Sequence, residues 1–158
     1  MDAPREASSP TPWPPIIYAI AAISAALLGW FSNWSFQSSA ARAPALLLGC
    51  GTAALGIVLL ALAGRRFNRA GTAIPPNRPT TAIVVDGIYR HTRNPMYLGF
   101  TLLLLALGLL FDDLWFIVLA PFAVFAVTKL AIEREEAYLE RKFGAAYVAY
   151  KQNVRRWL

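Results

Sequence analysis

Four long apolar stretches, at about 16–36, 44–64, 96–111 and 114–132, leave this chain few ways to fold, because most of its charge lies outside them. Apolar residues make up 57 % of the 158 and charged residues 15 %, against about 25 % charged in an ordinary soluble domain. In a bilayer, such stretches satisfy their backbone polar groups by folding as helices. The pattern predicts an all-α integral membrane bundle of about four transmembrane helices, forming one domain over residues 16–158. The third stretch has only sixteen residues before Asp112 and Asp113, whereas a full crossing takes about 20. The third and fourth stretches therefore read as a tight hairpin whose turn barely reaches the far interface.

Charge distribution sets the expected orientation. The chain carries a net charge of +6. After the first stretch its basic residues fall into two groups, Arg65 to Arg93 and Lys129 to Arg156, each flanking an apolar span. Lys and Arg collect on the cytoplasmic side of membrane helices, so both termini and the 65–94 connection are expected there. The opposite side would hold only Arg42, Asp112 and Asp113. This arrangement argues against a nucleic-acid surface. Cys50 and His91 are each alone in the sequence, which excludes a disulfide framework, a zinc cluster and a multi-His metal site.

Residues 1–15 contain five prolines and read as a disordered tail. The first stretch is read as a membrane helix. A cleaved signal peptide is the alternative, but the first ten residues lack the required basic character. The run GCGTAA from Gly49 matches a dinucleotide fingerprint in letters only, since it lies inside an apolar helix and not after a strand. Small residues there serve close helix packing. Residues 65–94 form a polar connection containing Pro75, Pro76 and Pro79, long enough to suggest a function. Residues 133–158 place Leu139, Phe143, Tyr147, Tyr150 and Val154 at helical spacing, an amphipathic helix with a bend at Gly144.

Two polar clusters exceed what spanning a bilayer requires. The first is GIYRHTRNPMYLG, residues 87–99, where Asn94 and Pro95 suit a helix start. A helix amino terminus attracts anions, and Arg93 beside it reinforces that preference. The second cluster holds Glu135 and Glu136, which can accept hydrogen bonds from an ammonium group or ribose hydroxyls. The faces of Tyr89 and Tyr97 suit a cation such as a sulfonium. Read separately, these residues are a helix cap, interface aromatics and snorkelling charges. Together they fit a zwitterionic, sulfonium-bearing nucleotide.

The first cluster, preceded by RAGTAIPPNRPTTAIVVD and followed by a hairpin and EEAYLERKFGAAYVAYKQNVRR, resembles the isoprenylcysteine carboxyl methyltransferase family and, more broadly, phospholipid methyltransferase-like membrane enzymes. The likeness spans roughly 65–156. It implies S-adenosylmethionine as cofactor, bound at the cytosolic ends of the last helices, and a lipid or other hydrophobic acceptor arriving from the bilayer. It places cofactor contacts on Thr81, Ala82, Ile83, Val84, Tyr89, Asn94, Pro95, Met96, Tyr97 and Glu135, with Glu136 the neighbouring acid and Arg93 a candidate catalytic residue. Two positions depart from the family pattern. Asn94 replaces a common histidine, so no titratable group stands there, and Ala131 replaces an arginine that holds prenylcysteine substrates. The acceptor, whether carboxylate, thiol or amine, is left open. Two other readings predict different behaviour: an NADPH-dependent reductase like the sterol reductases, and a non-catalytic membrane subunit.

Overall fold

The computed structural model describes residues 14–32, 34–71 and 81–158, and every regular element among them is helical. Helix α1 is Pro14–Ser32 and α2 is Ser39–Arg69; a 3-10 turn, Gly87–Arg90, leads to α3, Pro95–Phe111. Helix α4, Leu114–Val127, passes through a π-helical turn, Thr128–Ile132, directly into α5, Glu133–Phe143, and α6 is Ala145–Asn153. Three continuous helices are long and apolar enough to cross a membrane: Pro14–Ser32, Ser39–Arg69 and Leu114–Phe143. Helix α3 is apolar throughout, but its 17 residues rise only about 25 Å at 1.5 Å each, short of a hydrocarbon core of about 30 Å. The protein is an integral membrane helical bundle.

Several expected boundaries move. Pro14 and Pro15 begin α1 and so do not belong to a tail; the remainder of that expected segment, 1–13, lies outside the described residues. Helix α2 runs through Arg69, which shortens the polar connection at its start, while 72–80 lie outside the described residues. The amphipathic segment after 133 is two helices and not one. Gly144 separates them at φ +52°, a conformation that a side chain would strain.

Packing explains the order of the helices. α2 lies along α3, α3 against α4, and α4 against α1, whereas the consecutive α1 and α2 share no extensive interface. Glycine permits the α2–α3 contact. A Cβ on Gly56 would stand 2.9 Å from the carbonyl oxygen of Gly99, and one on Gly99 would stand 3.0 Å from that of Gly56. Close backbone approach through small residues is how helices associate in lipid, where apolar side chains gain little by leaving their surroundings. The outward faces of α1 and α2 remain apolar, with Trp30 82 % and Phe31 84 % exposed at one end of α1, as interface aromatics are.

The α3–α4 turn is fastened to the α1–α2 connection. Asp112 adopts a left-handed conformation, and its carboxylate accepts the N–H groups of Phe36 and Gln37 at 3.0 and 2.9 Å. The Gln37 amide donates to Leu109 O, and Arg42 donates to Leu110 O. These bonds satisfy carbonyls that the end of α3 leaves open. Asp113 caps α4 by accepting from Trp115 N.

Candidate active site where α3 meets α5

At the other end of the bundle, the loop that enters α3 is bound to a segment from far along the chain. The backbone N–H of Arg93 donates to Arg155 O at 3.0 Å. The Thr92 hydroxyl and the Asn94 side-chain amide both donate to Arg156 O, at 3.2 and 3.0 Å. Asn94 does sit at the N-cap position, but its side chain makes no capping bond. That corrects the simple helix-start reading: Pro95 supplies the helix geometry, and Asn94 spends its amide on the tail. Trp157 packs against the main core, which anchors the same segment.

Arg156 also turns its guanidinium onto Glu136, donating from Nε to Oε1 at 3.0 Å and from Nη2 to Oε2 at 2.7 Å. These bonds to the carboxylate raise the Arg156 pKa above its ordinary value. Arg93 Nη1 lies 2.9 Å from Glu136 Oε1, with both side chains nearly buried, at 10 % and 8 % exposure. Even so, Arg93 Nε and Nη1 have no aligned hydrogen-bond partner, and buried polar atoms of that kind call for an explanation. Glu135 is used differently. Its two oxygens share the hydroxyl of Tyr97, each at 2.8 Å, and among the described residues it has no ion pair. The Tyr97 carbonyl in turn accepts from the Tyr18 hydroxyl of α1, which also bonds Thr101.

Arg93, Asn94, Tyr97, Glu135 and Glu136 face a cavity of about 440 Å³, inside the range of about 300–1,000 Å³ typical of small-molecule sites. Its lining includes Ala82, Ile83, Val84, Tyr89, Arg93, Asn94, Pro95, Met96, Tyr97, Glu135 and Glu136. Thr81 does not line it; its side chain is turned to Gly71 O instead. Sequence reasoning missed other walls: Pro14 and Pro15 from α1, Leu60, Gly64 and Phe67 from α2, and Tyr138, Tyr147 and Tyr150 from α5 and α6. Helical spacing had already marked Tyr147 and Tyr150 as one face, but not what that face meets.

The tyrosines are held neutral by their surroundings. Burial raises the pKa of Tyr89, Tyr147 and Tyr150 above the ordinary value, because a phenolate would lose its water. The Tyr150 hydroxyl donates to Tyr89 O at 2.7 Å, and Tyr89 meets the ring of Phe67 edge-on at 5.6 Å. The result is a mostly apolar, aromatic chamber in which, among the described residues, Glu135 has no cation and Arg93, though ion-paired with Glu136 and bonded to Tyr147, keeps Nε without a hydrogen-bond partner.

Comparison with known proteins gives the family. The phospholipid methyltransferase family matches residues 44–146, most of the chain. The chain belongs to that family. An uncharacterized protein of Haemophilus influenzae is 47 % identical over 64 residues, covering 40 % of this chain and all of that protein. A protein-S-isoprenylcysteine O-methyltransferase of Schizosaccharomyces pombe is 33 % identical over 72 residues, covering 46 % of this chain. The matched stretch is 30 % of the yeast enzyme's length. No solved structure matches. The protein is thus a membrane protein of the methyltransferase kind, and the resemblance read from residues 65–156 stands.

Proposed function

We propose that the protein is an S-adenosylmethionine-dependent methyltransferase that modifies a lipid or other hydrophobic acceptor at the cytoplasmic membrane face. The observation that carries this reading is the pairing, in one cavity, of a Glu135 that has no ion pair among the described residues with an Arg93 whose Nε has no hydrogen-bond partner and whose Nη1 meets Glu136 only in a misaligned ion pair. A zwitterionic ligand supplies both missing partners. The Arg93 guanidinium and the amino end of α3 would take its carboxylate, and Glu135, oriented by Tyr97, would take its ammonium group or ribose hydroxyls. The rings of Tyr89, Tyr97, Tyr147 and Tyr150 would border its sulfonium. When bound, S-adenosylmethionine supplies the activated methyl group.

The protein's own contribution is then positioning and exclusion of water. Burying the two reacting groups together in a fixed orientation lowers the entropic part of the barrier, and the apolar walls keep water from competing. With Asn94 where a histidine is common, no imidazole stands at that position to remove a proton. An acceptor that is already deprotonated fits this arrangement. The grouping of Lys and Arg at this end of the bundle supports a cytoplasmic site.

The test uses purified full-length protein in lipid nanodiscs. Calorimetric titration should show S-adenosylmethionine binding that is weakened in Glu135→Ala and in Tyr97→Ala; full binding by both variants would defeat the assignment. Membranes incubated with methyl-labelled donor should then yield labelled lipid. Base-labile label would identify an ester and base-stable label an amine, thioether or carbon product. Binding of NADPH in place of S-adenosylmethionine would replace this reading with a reductase.

A further inference from the structure

Arg156 lies beyond the residues matched by the methyltransferase family, which end at 146, and its sequence surroundings mark it only as one basic residue among several. In the fold it sits at the centre of a contest. Two guanidinium groups, those of Arg156 and Arg93, approach one carboxylate that is only 8 % exposed. Arg156 engages both oxygens in a two-pronged contact at 3.0 and 2.7 Å. Arg93 Nη1 pairs with Oε1 at 2.9 Å but without an aligned hydrogen bond, Nε has no hydrogen-bond partner, and the side chain also bonds Tyr147. The tail carbonyls that bind Arg93 N–H, Thr92 and Asn94 fix this geometry from the other side.

We infer that Arg156 is a positioning residue: by bonding both oxygens of Glu136 it keeps that acid, already ion-paired with Arg93, from forming aligned hydrogen bonds with it, and so leaves Arg93 Nε and the free directions of Nη1 to an anionic group of the ligand. The inference rests on the methyl-donor reading above, in which that group is the donor's carboxylate. The physical case is simple. A buried carboxylate stripped of its partner is strongly destabilised and takes the nearest cation available. Here that cation is Arg93, already 2.9 Å away. A forked, two-bond contact is stronger and more directional than a point charge, so lysine at 156 would substitute only in part.

The experiment measures donor affinity by calorimetry and unfolding temperature for wild type, Arg156→Ala, Arg156→Lys, Glu136→Gln and the double variant Arg156→Ala/Glu136→Gln. Loss of an aligned charged hydrogen bond predicts that Arg156→Ala binds S-adenosylmethionine about tenfold more weakly. The double variant should return to within about threefold of wild type, because a neutral amide does not capture Arg93 as a carboxylate does. Decarboxylated S-adenosylmethionine, which lacks the anionic group, should bind wild type and Arg156→Ala equally. If Arg156→Ala does not fold, Arg156→Lys carries the test with a smaller loss, again relieved by Glu136→Gln. A tail that merely ties the fold together predicts no relief in the double variant and equal losses for both ligands; that pattern overturns the inference, as does unchanged affinity in Arg156→Ala. Wild type that fails to bind S-adenosylmethionine overturns the donor reading and this inference together. Wild type that binds, with Arg156→Ala unaffected, overturns this inference alone.

Discussion

Tyr97 touches three parts of the molecule at once: its hydroxyl is shared by the oxygens of Glu135, and its carbonyl accepts from Tyr18 and Thr101. Replacing it with phenylalanine keeps the ring in place and removes only the bond to the acid. Donor affinity in Tyr97→Phe should fall about five- to tenfold, the worth of one hydrogen bond to a charged group, while the unfolding temperature changes little; titration calorimetry and a thermal melt check both. The neighbouring phenols should ionise above the ordinary value. Burial raises the pKa of Tyr89 and Tyr150, so each favours the folded state below the ordinary value near 10, and that contribution is lost as pH rises through the folded value. The rise in absorbance at 295 nm near the ordinary phenol value of about 10 should therefore be the same in Tyr150→Phe and wild type, since burial moves the ionisation of this hydroxyl above that value. Much at this scale was legible from sequence. Arg93, Tyr97 and Glu135 were marked by the chemistry of their side chains. Arg156 was not, because its meaning comes from partners 20, 62 and 64 positions away, and no local pattern encodes a contact of that span.

At the scale of elements, the α2–α3 contact depends on two glycines facing each other. Gly56→Val would press side-chain atoms on the Gly99 carbonyl and on Leu103, an overpacking that costs about 1–3 kcal/mol. Gly51 makes the contrast, since a Cβ there would meet nothing within 4 Å. Gly51→Ala should hold or raise the melting temperature, as alanine gains about 1 kcal/mol over glycine inside a helix; thermal unfolding of both variants in nanodiscs decides. The apolar periodicity made these helices readable, including the short third one. It could not show the π-helical turn at Thr128–Ile132. An extra residue in one helical turn changes which side chains face inward, and here Glu135 and Glu136, adjacent in sequence, both line the cavity. The composition of that segment is ordinary for a helix, so the turn reflects packing and not local preference. Gly144, in contrast, was visible as a bend because glycine tolerates the φ found there.

For the whole molecule, the charge asymmetry supports a topology with the cavity end facing the cytoplasm, and this can be tested directly. In a Cys50→Ser background, Ser35→Cys at one end and Arg90→Cys at the other provide exposed probes. A membrane-impermeant maleimide should label the first in intact cells and the second only after permeabilisation; the reverse pattern would invert the topology. The bundle's two ends are built for different purposes. One is closed by backbone bonds around Asp112, and the other is kept open by aromatic walls.

The position of α1 has a consequence for how such a protein diversifies. Residues 14–32 lie outside the stretch that the family matches, yet Pro14 and Pro15 form part of the cavity wall. Helix α1 rests on α4 and touches α2 hardly at all. Changes at the Pro14–Pro15 end would alter the cavity wall while leaving Arg93 and Glu135 in place, provided that Tyr18 kept its bond to the Tyr97 carbonyl. The cavity would then combine walls inside the matched stretch with one outside it, and only the latter would be free to vary on its own.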